Sequence, residues 1–199
     1  MTVKYTRHRN WMADFIGKKH KLTLQKAVED EYPMGMLSAE DTKTLNGYFK
    51  NGIEHCFDMG YMSPDSLPTL TKQIERHFCA DVDLYYGYYG CGPVAIHDDI
   101  GTELDCPNKI PFVILLKYKE MPAYYKAENS ADKYRGSFRS IPSFDCFEFF
   151  NGENGRMWRH PMVPGDMVVF DPCLDHGIMT SMGYYLLCGL LKKKEKENV

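Results

Sequence analysis

The sequence contains no Cys-x-x-Cys pair, and its seven cysteines, at positions 56, 79, 91, 106, 146, 173 and 188, are an odd number at wide spacings. A disulfide framework needs paired cysteines and a zinc ribbon needs close pairs, so both are disfavoured. Free thiols are typical of a reducing compartment. The first residues also lack the apolar core of a signal peptide, and no apolar run approaches membrane-spanning length. We therefore expect a cytoplasmic protein without membrane contact.

An excess of basic charge is missing as well, because 24 Lys and Arg residues stand against 27 Asp and Glu residues. Proteins that bind nucleic acid through its phosphates usually carry a basic surface. Nucleic acid is therefore a disfavoured partner, and the basic cluster 18–21 is more typical of a solvated edge. We expect the substrate to be a small molecule, a side chain or an unpaired base.

The chain divides into a helical part and a part rich in strand signals. Ser38 can cap a helix, and apolar residues at helical spacing follow it; a second helix is predicted from Pro68. From residue 82 onward, short apolar and aromatic runs alternate with Gly, Pro and Asn, which is typical of a β-sandwich or barrel. Asn151-Gly152 and Asn154-Gly155 are each typical of a tight turn between two such strands.

These signals predict one mainly β domain with N-terminal helices. We place the domain over 1–199, with a helical support region over 1–80, an antiparallel double-sheet core over 81–191 and a flexible charged tail over 192–199. The length suffices to bury a substantial core. The polar stretch 122–136 predicts a mobile loop or lid.

The segment 93–100, PVAIHDDI, predicts a strand because it is rich in β-branched residues and follows a glycine. Side chains in a strand alternate between two faces, so His97 and Asp99 point to one side and Asp98 to the other. An imidazole and a carboxylate on one side supply two ligands of a 2-His-1-carboxylate triad. Such a triad holds non-haem Fe(II) and leaves the other coordination positions open. The third ligand is expected to be a distant histidine, and His176 is the candidate.

His176 follows a Gly165-Asp166 turn, an apolar strand and a short loop. With His97-x-Asp99 before this segment, the sequence resembles the Fe(II)/2-oxoglutarate-dependent dioxygenases, which include prolyl hydroxylases and nucleic-acid-repair demethylases. The resemblance implies a double-stranded β-helix, or cupin-like jelly roll, braced by helices. It also implies Fe(II), the co-substrate 2-oxoglutarate and O₂, with hydroxylation or demethylation of an organic substrate through an Fe(IV)-oxo species.

The resemblance leaves open which residue binds the far carboxylate of 2-oxoglutarate. Most of the family uses an Arg or Lys on the strand after the distal histidine, but this chain has Leu186 ten positions after His176. An unpaired buried carboxylate would be costly. Some branches use a lysine on the strand after the His-x-Asp segment, and Lys117 matches it. The remaining candidates are Arg135, Arg139, Arg156 and Arg159 for charge, and Tyr86, Tyr88 and Tyr184 for hydroxyl hydrogen bonds.

Two alternatives to an oxygenase of this kind stay open. The first is a cupin-type metalloenzyme that has the same triad and does not use 2-oxoglutarate. The second is a jelly-roll module that binds a ligand without catalysis, which is favoured if the triad side chains do not converge.

Overall fold

A computed structural model describes residues 11–21, 37–54, 60–91, 93–119, 147–153, 156–180 and 183–194. The predicted loop over 122–136, Arg135, Arg139 and the end of the charged tail lie outside these ranges. Within them, neither α-helix has the length and apolar composition needed to cross a membrane.

The two predicted α-helices are confirmed. Helix α1, Ala39–Glu54, begins after Ser38, whose hydroxyl oxygen accepts the N–H of Asp41 at 3.1 Å. Helix α2, Pro68–Phe78, has its proline in the first turn, where the missing N–H costs nothing. Asp41 is fully buried and accepts the N–H of Leu70 at 2.8 Å, which ties the start of α2 to α1.

The described residues form nine strands, and one of them lies in the region predicted to be helical. The basic cluster 18–21 is itself a strand, because it pairs with an apolar strand near the C-terminus. The strands are β1 (Lys18–Lys21), β2 (Asp81–Cys91), β3 (Val94–His97), β4 (Lys109–Lys119), β5 (Phe147–Glu153), β6 (Arg156–Met162), β7 (Asp166–Val169), β8 (Asp175–Met179) and β9 (Gly183–Lys192).

These strands form two antiparallel sheets. The order is β1-β7-β4-β9-β2 in the five-stranded sheet and β3-β8-β5-β6 in the four-stranded sheet. One apolar cluster contains residues of both sheets, among them Leu115, Leu186, Phe149 and Ile178, and so lies between them. A second cluster joins the helices to the other face of the five-stranded sheet. The predicted mainly β, two-sheet architecture is confirmed, while the division of the chain into regions stays a prediction.

Gly189 marks the tightest part of the helix-side cluster. It lies on β9 opposite Tyr85 of β2 and Phe112 of β4. A Cβ atom at this position would lie 2.6 Å from the carbonyl oxygen of Leu84 and 2.5 Å from the Phe112 ring. The absence of a side chain therefore lets the Phe112 ring pack against the strand.

We expect Gly189→Ala to lower the free energy of unfolding by about 1–3 kcal/mol, because overpacking forces the backbone or an aromatic ring to shift. Gly47→Ala in α1 is the matched control, since a Cβ there meets nothing within 4 Å. That substitution should raise the free energy of unfolding by roughly 0.5–1 kcal/mol through helix propensity. Urea denaturation measures both, and equal effects of the two substitutions would contradict the packing described.

Candidate metal centre

Strand pairing brings the two predicted histidine ligands together. His97 ends β3, and His176 is the second residue of β8; the two are direct partners in the antiparallel pair. Residues directly opposite each other in such a pair lie on the same face. Both imidazoles therefore point to the same side of the four-stranded sheet, toward the space between the sheets.

Asp99 is positioned by a turn after β3 that is tied to the loop before β8. Its N–H donates to the carbonyl oxygen of Pro172 at 2.8 Å. Its own carbonyl oxygen accepts the N–H of Thr102 at 3.0 Å and the Thr102 hydroxyl at 2.7 Å. The carboxylate is therefore held where the loops after β3 and β7 meet.

The three side chains converge. One ligand atom from each of His97, Asp99 and His176 lies within 4.8 Å of the others, and within the described ranges they form the one such group of three or more. Nε2 of His176 lies 3.2 Å from one carboxylate oxygen of Asp99, and Nε2 of His97 lies 4.0 Å from the other. Their role as metal ligands stays a prediction, and the convergence of three ligand atoms that it requires is present.

Backbone carbonyls fix which ring nitrogen of each histidine faces the centre. Nδ1 of His97 lies 2.7 Å from the carbonyl oxygen of Ala95, and Nδ1 of His176 lies 2.9 Å from that of Leu174. A carbonyl oxygen can only accept, so each Nδ1 carries the proton and donates it. Each Nε2 is then left with a lone pair directed at Asp99, which is the arrangement a metal ligand needs.

Burial is graded across the three residues. The side chains of His176, Asp99 and His97 are 7%, 17% and 44% exposed, respectively. The rings of Phe149 and Phe170 lie 6.3 and 4.7 Å from that of His176. Burial lowers the pKa of His176 below its usual value, and the charge of His97 lowers it further. The Leu174 carbonyl and Asp99 raise this pKa, but their effect is smaller. His176 is therefore kept neutral, as metal binding requires.

Asp98 and the Gly-Asp turn have structural positions. Asp98 is exposed, and its carboxylate accepts the N–H of Ile100 at 3.2 Å. Gly165 has a positive φ of 93°, and Asp166 is fully buried. One Asp166 oxygen accepts the N–H of Val163 at 3.0 Å and binds Nζ of the β1 lysine Lys19 at 3.2 Å. This turn therefore attaches β1 to the sheet.

A bulge decides the face on which Lys117 lies. Along β4, Leu115 pairs with Leu186, but Lys117 pairs with the very next residue, Tyr185. Leu186 belongs to the cluster between the sheets, whereas Tyr185 packs against the helix-side cluster. Because direct partners share a face, Lys117 lies on the helix side of the five-stranded sheet. This register argues against the predicted role of Lys117 in binding the co-substrate.

Tyr86 is close enough to the triad for Asp99 to act on it electrostatically. Burial raises the pKa of Tyr86, and the nearby Cys188 and Asp99 raise it further. Cys188 is the direct partner of Tyr86 across β2 and β9, and burial raises the pKa of that thiol to about 12. The rings of Tyr88 and Tyr184 pack with centroids 6.1 Å apart. A role of these tyrosines in co-substrate binding stays a prediction.

The two arginines of β6 lie on different faces. Arg159 binds the Glu148 carboxylate through Nε at 3.0 Å and Nη2 at 2.7 Å. Its strand partner is Phe150, two residues from Glu148, so this pair lies on the outer face of the sheet. Arg156 shares the inner face with Trp158 by strand alternation and is exposed. Arg156 is therefore the β6 arginine that lies on the side of the triad.

Sequence reasoning missed the neighbour of His176 on the sheet. Asn151 pairs with His176 on one side and with Trp158 on the other. Together with His97, these residues form one line across β3, β8, β5 and β6, which we call the inner row. Asn151-Gly152 lies inside β5, so the predicted tight turn at this dipeptide is wrong. The other predicted turn, Asn154-Gly155, lies outside the described residues. One sequence signal could have placed Asn151 correctly. Phe147, Phe149 and Asn151 are alternate residues, so in a strand Asn151 lies on the same face as the two apolar phenylalanines.

Comparisons with known proteins gave structural likeness only. No protein-family model matches the chain, and no curated protein matches it in sequence. In structure it is similar to the non-heme monooxygenase ThoJ in complex with Ni, with 9% identity, 78% of this chain and 66% of that chain covered, and a TM-score of 0.43.

Two further solved structures are similar at the same level. The first is HygX from Streptomyces hygroscopicus with iron bound, with 11% identity, 96% of this chain and 88% of that chain covered, and a TM-score of 0.43. The second is EctD from S. alaskensis with 2-oxoglutarate and 5-hydroxyectoine, with 11% identity, 89% of this chain and 84% of that chain covered, and a TM-score of 0.39. All of these identities are below 25% and all TM-scores below 0.5. A function for this chain therefore rests on its own residues.

We expect the metal-free protein to hold His97 and His176 in the Nδ1–H tautomer, because a carbonyl oxygen accepts from each Nδ1. His20 is an internal control, since its Nε2 lies 3.0 Å from the carbonyl oxygen of Phe15 and must carry the proton. Long-range ¹H–¹⁵N correlation spectra at about pH 8, where histidines are mostly neutral, distinguish the tautomers. Protons on Nε2 of both site histidines would refute the arrangement.

Proposed function

We propose that this chain is a non-haem Fe(II) oxygenase that uses 2-oxoglutarate to hydroxylate or demethylate an organic substrate. The observation that carries the proposal is the convergence of His97, Asp99 and His176, with both Nδ1 atoms bound to carbonyls and both Nε2 atoms turned toward the carboxylate. Two imidazole nitrogens and one carboxylate suit Fe(II) and leave positions for the co-substrate and O₂. The motif resemblance supports the same assignment.

The arrangement of the strands supports a double-stranded β-helix as the scaffold. Strands close in sequence alternate between the sheets, since β2 and β4 lie in one while β3 and β5 lie in the other. The loops after β3 and β7 then meet at one end of the sandwich, where Asp99 bonds Pro172. The mouth of a jelly roll is a usual place for such a site.

Each ligand residue has a distinct task in the proposed reaction. His176, packed against Phe149 and Phe170, is the ligand in the most water-excluded position. Asp99 is fixed by its backbone and supplies the negative charge. His97 is the exposed ligand, and it lies on the side from which a substrate arrives. Iron held there would supply the activation of O₂ and the abstraction of hydrogen, and the chain supplies orientation and exclusion of water.

We infer that the substrate is a small molecule, a side chain or an unpaired base. Ile100, which follows Asp99 in the turn after β3, is 62% exposed and supports an apolar contact there. Trp158 of the inner row is 37% exposed and adds an aromatic surface on the other side of Asn151. Exposed apolar groups beside a polar centre are typical of a ligand-binding cleft.

We expect His97→Ala, Asp99→Ala and His176→Ala each to abolish tight Fe(II) binding, since two remaining donors compete poorly with water. Asp98→Ala is the matched control and should bind Fe(II) like the parent, because its carboxylate caps Ile100 instead. Anaerobic calorimetric titration with Fe(II) measures the binding, and we expect one equivalent bound to the parent and none bound tightly to the triad variants. Unchanged binding in all three triad variants would remove the basis of the proposal.

Turnover distinguishes the proposed oxygenase from the alternatives. With Fe(II), O₂ and a screen of candidate substrates, the proposed enzyme releases succinate and CO₂ from 2-oxoglutarate. A parent protein that binds Fe(II) but shows neither affinity for 2-oxoglutarate nor succinate release would instead be assigned to the cupin-type metalloenzymes. A protein that does not bind a metal at all would be a non-catalytic module.

A further inference from the structure

Asn151 is a buried polar residue directly beside a proposed ligand. It is 2% exposed, and it is the strand partner of His176. Side chains of direct partners in an antiparallel pair have Cβ atoms about 4.5–5.5 Å apart. An asparagine side chain is short, so its amide can reach only groups close to His176. A buried amide at this position requires hydrogen-bond partners.

His160 supplies one of these partners and fixes the orientation of the amide. It lies two residues from Trp158 on β6 and therefore on the same face of the sheet. Its Nε2–H donates to Oδ1 of Asn151 at 2.6 Å. Burial, followed by the charge of Lys19, lowers the pKa of His160. A neutral imidazole with its proton on Nε2 thus occupies the amide oxygen and leaves the amide nitrogen facing elsewhere.

The amide nitrogen of Asn151 has no hydrogen-bond partner among the described residues. In the part of the chain that the structure describes, the bond from His160 is the only side-chain hydrogen bond of Asn151. The buried side-chain nitrogen and oxygen atoms without a partner there are Nε1 of Trp11, Oδ1 of Asp41 and Oδ1 of Asp166. Nδ2 of Asn151 is not one of them, so it is accessible. Two N–H donors of a residue next to His176 are therefore available to a ligand.

Lys19 lies near this pair, and its charge is compensated. Lys19 pairs with Val168, a member of the cluster between the sheets, and so lies on the inner face of the five-stranded sheet. Its Nζ is held by the carbonyl oxygen of Pro161 at 2.9 Å and by the buried Asp166 carboxylate at 3.2 Å. The Asn151–His160 pair therefore lies beside an ion pair.

We propose that Asn151, oriented by His160, binds the chelating carboxylate of a 2-oxo acid at the metal centre. This rests on the proposed function. The short reach of the amide selects the end of the co-substrate next to the metal rather than its far end. The chelating end is common to all 2-oxo acids, so Asn151 contributes equally to the binding of each. His160 is a positioning residue, because it acts on the ligand only through Asn151.

The test is anaerobic calorimetric titration of the Fe(II)-loaded protein with 2-oxoglutarate and, separately, with 2-oxobutyrate, which lacks the far carboxylate. Asn151→Ala should weaken both by the same factor, roughly tenfold to a hundredfold, as expected for lost hydrogen bonds to a charged group. Fe(II) affinity should match the parent. Asn108→Ala, at an exposed asparagine before β4, is the control and should change neither affinity.

Variants of His160 test its positioning role. They also provide a second test of the proposal if Asn151→Ala folds poorly. His160→Gln keeps an N–H near the position of Nε2 and should retain nearly the parent affinity. His160→Leu should weaken both 2-oxo acids, and Asn151→Ala/His160→Leu should be no weaker than Asn151→Ala alone, since the two residues act as one unit.

Several outcomes would overturn the inference. They are parent-like affinity in Asn151→Ala and His160→Leu, loss of 2-oxoglutarate binding with 2-oxobutyrate binding kept, and equal loss for His160→Gln and His160→Leu. A parent protein that binds Fe(II) and neither 2-oxo acid would refute the proposed function itself, together with this inference. Because the parent and the variants are titrated separately, the two failures are told apart.

Discussion

The pairing of β3 with β8 is the constraint on which the centre depends. It makes His97 and His176 direct partners, although they are 79 positions apart in the sequence. The approach of the two strands is close at Gly177, where a Cβ atom would lie 2.9 Å from the carbonyl oxygen of Val94 and 3.3 Å from Cα of Ile96. A side chain at this position would push β3 outward and separate the imidazoles. The residue next to a proposed ligand is therefore small because the backbone of the other strand occupies its space.

Backbone groups, rather than other side chains, hold the three residues in place. The carbonyl oxygens of Ala95 and Leu174 bind the histidines, and that of Pro172 binds the N–H of Asp99. Such contacts cost little conformational entropy, because strand and turn formation has already ordered the backbone. The centre is consequently organised by the same hydrogen bonds that form the sandwich, and a metal ion would meet side chains that are already oriented.

Local rules predicted the parts of the protein that depend on residues close in sequence. The cap at Ser38 and the helix from Pro68 follow from propensity within a few residues. Strand alternation put Asp99 on the side of His97, but β3 ends at His97 and it is a turn bonded to Pro172 that holds Asp99. The bulge before Lys117 could not be predicted, because it depends on how β4 packs between β7 and β9. The place of Asn151 beside the centre could not be predicted for the same reason. An asparagine before a glycine is typical of a turn, and only the pairing of β5 with β8 makes Asn151 a neighbour of the centre.

The buried thiol of Cys188 bears on the durability of the proposed oxygenase. Such an enzyme would handle oxidants next to its own side chains, and cysteine is attacked chiefly as the thiolate, through sulfenic and sulfinic acids. Burial raises the pKa of Cys188 to about 12, so the thiol form predominates at neutral pH. Its strand partner Tyr86 is close enough to Asp99 to be affected by that carboxylate, so this sulfur lies near the proposed centre in its unreactive form. The packing of the inter-sheet cluster thus keeps this cysteine in the form that oxidants attack least.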